Sequence, residues 1–248
     1  MRGFFAITRV ALRQLLGGKR LALFGVLALM PPVVMWFSSA NLPENDVSDA
    51  FNEAPIAIVF LIVLPVVALV LGAGSLGDER RDGTLSFLLL RPLPRTVVAG
   101  AKLFSAWLAT TGIVGTSAGL GAAVVGVRAG DWAFVGPVLL GVAVAALAYC
   151  AAFMLLGYFS ARAVLIGLVY VFIWENGISA ASPSLANVSL WRIGVSAYVG
   201  LAPGPISDID EILGSVAPGA GGAIAKAVVI AALVIAATGA LLRRRDLT

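Results

Sequence analysis

Histidine is absent from the 248 residues, and cysteine occurs once, as Cys150. Without histidine there is no Ser-His-Asp or Cys-His catalytic pair and no histidine-bearing zinc site. A lone thiol closes no intrachain disulfide and supports no cysteine metal centre. The chain also lacks G-x-x-x-x-G-K-[ST], the loop that cradles nucleotide phosphates, so energy must come from a gradient or another subunit. Charge is scarce, at 12% against 60% hydrophobic residues. A soluble domain runs at roughly 25% charged and 45–50% apolar. With a mean hydropathy of +1.01, this is the composition of one membrane domain, with no room for a second, soluble one. The formal charge of +4 is no argument for nucleic acid, because where the charges sit matters more than their sum.

What the sequence has in abundance is apolar length. A span needs roughly 20 apolar residues, and six segments qualify: Leu21–Ala40, Pro55–Leu76, Leu103–Val127, Ala133–Phe159, Val164–Ala181 and Ala223–Leu242. Pro31, Pro32 and Pro65 lie inside the first two and predict kinks, tolerable where neighbouring helices satisfy the freed backbone groups. Fourteen of the seventeen Lys and Arg residues fall in the N-terminal segment, the loops after spans two and four, and the C-terminus. The opposite loops carry Glu44, Asp46, Asp49, Glu53, Asp131, Asp208, Asp210 and Glu211. The positive-inside rule then puts both termini in the cytoplasm.

The start does not read as a secretory signal, because the apolar stretch is too long, a basic helix-like segment precedes it and no convincing small-residue cleavage site follows. Arg2, Arg9 and Arg13 share a narrow arc beside an apolar face with Phe5, Leu12, Leu15 and Leu16. An amphipathic helix in the cytoplasmic interface, ended by Gly17-Gly18, fits this pattern as well as an ordinary basic flank does.

The stretch Gly77-Asp78-Glu79-Arg80-Arg81-Asp82-Gly83-Thr84-Leu85-Ser86-Phe87-Leu88-Leu89-Leu90-Arg91-Pro92-Leu93-Pro94-Arg95 is too short to span and too apolar to remain in water. Thr84 suits a helix N-cap, Leu85–Leu90 would make under two turns, and Pro92 and Pro94 stop it. A Leu/Phe cluster rimmed by charge fits a short helix docking into a partner's groove, or a loop burying its leucines under its own bundle.

Glu79, Gly83-Thr84-Leu85, Leu88-Leu89 and Pro92, followed by Arg95 and Lys102, resemble the ABC-2 type permeases, membrane subunits of ATP-binding-cassette exporters. The layout agrees: an all-α integral membrane protein of six transmembrane helices, with an N-terminal interfacial helix, a cytoplasmic coupling helix in loop 78–95 and a long external segment, 182–222. Tyr170-Val171-Phe172-Ile173-Trp174-Glu175 is similar to the subgroup that includes the permease of nitrous-oxide-reductase maturation. The resemblance implies a bacterial cytoplasmic membrane protein with no cofactor or metal of its own. Its partners would be a separate ATPase carrying ATP and Mg, membrane lipid, and a second permease as homodimer or related heterodimer. Nucleic acid is not implied. Glu79, Gly83, Thr84, Leu85 and Leu88, with Pro92 and Arg95, would couple ATPase motion to an alternating path between two bundles.

Three further features carry open alternatives. Gly115 and Gly119 in span three form a G-x-x-x-G, read as a subunit interface or, more simply, as packing within the chain. Glu175 is the one carboxylate clearly inside a span. Such a group costs roughly 3 kcal/mol at the bilayer centre. It lines the pathway, binds a cationic group or accepts a proton, or it is structural, paired with Asn176 or Arg192 or placed near the outer interface where the cost is small. Trp191 and Tyr198 in the external segment suit the membrane–water boundary, and by the resemblance this region forms short re-entrant or surface helices. The rival functions are an ATPase-independent transporter and an intramembrane enzyme using Glu175.

Overall fold

The computed structural model describes residues 2–52, 54–84, 94–178, 189–203 and 219–244. Helix α1, Arg2–Leu15, is followed at once by α2, Gly18–Ser38, across the break at Leu16 and Gly17. A short α3, Val47–Asn52, leads to α4, which runs through Ala54–Ala57, a π-helical stretch Ile58–Val63, and Leu64–Arg81. Then come α5, Arg95–Ala129, and α6, Val135–Phe159. Helix α7 comprises Ala163–Val169 and a second π-helical stretch, Tyr170–Ile178. Two elements close the chain: α8, Trp191–Val199, and α9, Gly219–Arg244.

Five of these helices, α2, α4, α5, α6 and α9, are long and apolar enough to cross a membrane. The predicted fifth span is helical from Ala163 to Ile178, shorter than the others, and its predicted end at residues 179–181 lies outside the described residues. Boundaries shift by a few residues throughout and most at two places. The second span continues past Leu76 to Arg81, and the third starts at Arg95 rather than Leu103, so the charged ends are helical too. Helix α2 continues through Pro31 and Pro32. The π-helical turn of α4 ends just before Pro65, which has no N–H to give Leu61 and crowds that carbonyl, a conflict that a wider turn relieves.

The core is the α4–α6 pair. Two thirds (67%) of the most apolar window of each is buried, against 17% for α2 and 28% for α9. Leu64, Val67, Leu71, Tyr149 and Met154 are fully enclosed. The outer faces of α2 and α9 expose Leu23, Val26, Phe37, Val228 and Leu233, a surface suited to lipid or another apolar face. Glycine makes the central approach possible: a Cβ on Gly157 would overlap the Ala73 carbonyl, and one on Gly77 would lie 3.0 Å from the Gly157 carbonyl oxygen. The Gly115–Gly119 pair does less, since each faces only the Leu139 side chain with ordinary van der Waals space at 3.5 Å.

Candidate functional site

The second and third spans meet at a charged neck. Glu79 lies in the last turn of α4, and Lys102 is two turns inside the start of α5. The Lys102 ammonium donates to Oε1 of Glu79, with 4% and 15% of the two side chains exposed. Oε2 of Glu79 is buried and has no hydrogen-bond partner among the described residues. One residue earlier, Asp78 accepts from Arg20 at 2.9 Å and from Arg81, tying the start of α2 to the same place. Arg80 donates to the Tyr158 carbonyl and lies 5.7 Å from the centre of that ring, at the end of α6. A recess of about 330 Å³ opens here, lined among others by Gln14, Arg20, Asp78, Glu79, Asp82 and Lys102.

How α4 ends is set by Gly83. Its φ of +68° is left-handed, the conformation L side chains resist. The Thr84 N–H donates to the Glu79 carbonyl at 3.0 Å and the Gly83 N–H to that of Arg80 at 3.4 Å. That pair of bonds is a Schellman cap, which satisfies two carbonyls at the helix end and turns the chain out. The Thr84 hydroxyl also faces back, 3.4 Å from the Glu79 carbonyl oxygen. The helix that Thr84 was expected to start, with Leu85, Leu88 and Pro92, lies outside the described residues. Pro94 then accepts from the Val97 N–H at 2.9 Å, and Arg95 opens α5.

Helix α1 braces the neck. Ile7 packs with Val98 and Ala101, the Phe4 and Phe104 rings lie 5.8 Å apart, and Ser105 donates to the Thr8 carbonyl at 3.4 Å. Arg9 and Arg13 stay exposed, so α1 keeps a basic face while its apolar face rests on α5. Sequence reasoning named Glu79, Gly83, Thr84 and Arg95 but not the roles of Lys102, Arg20 and Asp78. The available signal was a lysine inside an otherwise apolar run, which in a membrane protein demands a partner.

At the other end of the bundle, Glu175 has both carboxylate oxygens engaged. Oε1 accepts from the Tyr170 hydroxyl at 2.6 Å and from the Leu190 N–H at 2.9 Å. Oε2 accepts from the Ser189 hydroxyl and, at 3.5 Å, from the Trp191 N–H. The carboxylate therefore sits on the N-terminus of α8, where orphan N–H groups and the helix dipole both favour a negative charge. Of the two partners expected for Glu175, the Asn176 side chain lies outside the described part of the structure, and Arg192 forms no ion pair with it. The aromatic residues of α8 also differ from expectation. Tyr198 is fully buried and donates to Asn52 Oδ1, and Trp191 is 9% exposed, so neither ring rides at a water boundary. The reason is glycine on both partners: Gly194 nests against Ala145 and Gly141 against Tyr198, which sinks α8 onto α6.

Residues 19–180, nearly two thirds of the chain, match the family model described as ABC-2 family transporter protein. The chain belongs to that family: it is a multi-pass membrane protein, the permease component of an ABC-type transporter. No curated protein matches it significantly.

Proposed function

We propose that the chain is the membrane subunit of an ATP-driven exporter that engages a separate ATPase through the segment between α4 and α5. The observation that carries the reading is the clamped neck. The Glu79–Lys102 pair joins the two helices on which residues 85–93 are strung, and the Gly83 cap sets where the chain leaves α4. A segment held at both ends transmits a push to the spans, whereas one on loose ends absorbs it. ATP and Mg belong to the partner in this reading. Closure of two ATPase subunits tilts two copies of the bundle, a homodimer or a pair of related permeases, and opens a path between them.

The test is gentle purification of the tagged chain from its host membrane, followed by mass spectrometry. A stoichiometric protein with a P-loop is the expected companion, lost in Leu88→Asp while the chain still inserts. Repeated recovery of the intact chain without an ATPase overturns the reading. The enzymatic alternative at Glu175 gains no support from the geometry, because four donors of its own fold occupy that carboxylate.

A further inference from the structure

Arg192 is 4% exposed, yet its Nε and Nη1 are buried with no hydrogen-bond partner among the described residues. Ser196, one turn on, is 1% exposed, and its hydroxyl is equally unmatched among the described residues. Buried guanidinium groups are normally paired, and each exception calls for an explanation such as a missing ion or ligand. The carboxylate nearest in the fold's logic, Glu175, is already spent on the N-terminus of α8.

The packing of α8 shows which strip is left over. Gly194 and Tyr198 face α6 and Phe60. Ile193 and Ala197 pack with Val144, Ala148, Ala223 and Ala227, between α6 and α9. Arg192 and Ser196 are four residues apart, so they share the remaining strip. It lies at the far end of the bundle from Glu79, since α8 rests on the first half of α6 at Gly141 and Ala145, while Gly77 meets Gly157 near the last turn.

We propose that Arg192 and Ser196 form a binding site for a phosphate group, carried by a lipid headgroup or by a soluble molecule. An arginine suits phosphate because it stays charged and offers several donors to a group with several acceptor oxygens. A serine hydroxyl four residues along supplies one donor more. The site supplies a counter-charge to a cation that has no partner among the described residues, and it places phosphate recognition on α8, at the far end of the bundle. It is independent of the ATPase reading, because no residue of the neck takes part.

The test uses the full chain in mild detergent and follows its melting temperature during titration with three probes: dioctanoyl phosphatidate, inorganic phosphate, and dioctanoylglycerol as a tail without phosphate. Saturable stabilisation of the wild type by phosphatidate is expected, with Arg192→Gln needing at least tenfold more ligand and Arg192→Lys falling between. A response to phosphatidate alone assigns the site to a lipid headgroup; a response to inorganic phosphate as well assigns it to a soluble molecule. Equal midpoints for wild type and Arg192→Gln overturn the proposal, as does equal stabilisation by dioctanoylglycerol. An unresponsive wild type beside a responsive Asp208→Asn/Asp210→Asn/Glu211→Gln variant also overturns it, since an internal carboxylate then holds the cation. If Arg192→Gln does not fold, a midpoint change under twofold in Arg192→Lys counts against the site.

Discussion

The Lys102 ammonium reaches across the neck of the bundle to the Glu79 carboxylate, joining residues 23 positions apart in the chain. Both side chains are largely withdrawn from solvent. Such a pair adds little net stability compared with an apolar replacement, but removing one partner alone is costly.

Lys102→Met should therefore destabilise the chain by about 3 kcal/mol, because it leaves Glu79 buried and uncompensated. The double variant Glu79→Gln/Lys102→Met should recover much of that loss. A double-mutant cycle on thermal unfolding in detergent checks it, and additive losses would show that the two residues do not interact.

Gly83 is held at φ +68°. Gly83→Ala places a Cβ where left-handed geometry costs roughly 1–2 kcal/mol, so its melting temperature should fall, whereas Gly83→Asn should fall less because asparagine tolerates that region. Equal losses for the two variants would point to lost space rather than backbone conformation, although nothing lies within 4 Å of a Cβ built there.

Glu175 binds the start of α8 through backbone N–H groups at 2.9 and 3.5 Å. Glu175→Gln keeps the shape but loses the charge-assisted bonds, an expected cost of about 2 kcal/mol. The readout is the unfolding midpoint together with tryptophan fluorescence, since Trp191 sits on the capped helix. Unchanged stability and spectrum would remove the capping role.

Gly157→Leu should prevent the α4–α6 approach and give little monodisperse protein, because even a Cβ overlaps the Ala73 carbonyl. Gly115→Ala and Gly119→Ala should express normally, each new methyl meeting Leu139 at ordinary distance. Size-exclusion profiles of the three variants decide. A loss of dimer specific to Gly115→Ala would instead favour a subunit interface.

Much of the neck was legible in the chain. Glu79, Gly83 and Arg95 announce themselves as charge and glycine at the ends of apolar runs. Lys102 as the partner of Glu79 was not legible, because Arg95 and Arg91 stand closer in sequence. The choice depends on how far α4 and α5 continue as helix beyond their apolar segments and on how they rotate against each other. The aromatic residues of α8 misled for a similar reason. Trp191 and Tyr198 have the composition of an interfacial belt, but glycines about fifty residues apart, Gly141 and Gly194, let their helix sink onto α6.

The sequence by itself determined the solvent of this protein, its succession of apolar helices and the segregation of basic residues. These are local properties: a backbone in lipid must satisfy its own hydrogen bonds within each helix, so length and hydropathy suffice to find it. Only the tertiary structure decided which polar groups meet. Glu79 finds Lys102, Glu175 finds the N-terminus of α8, and Arg192 finds neither carboxylate. Those outcomes rest on helix rotation and on how closely glycine lets helices approach, and a side chain's partner across tens of residues is written in neither hydropathy nor charge.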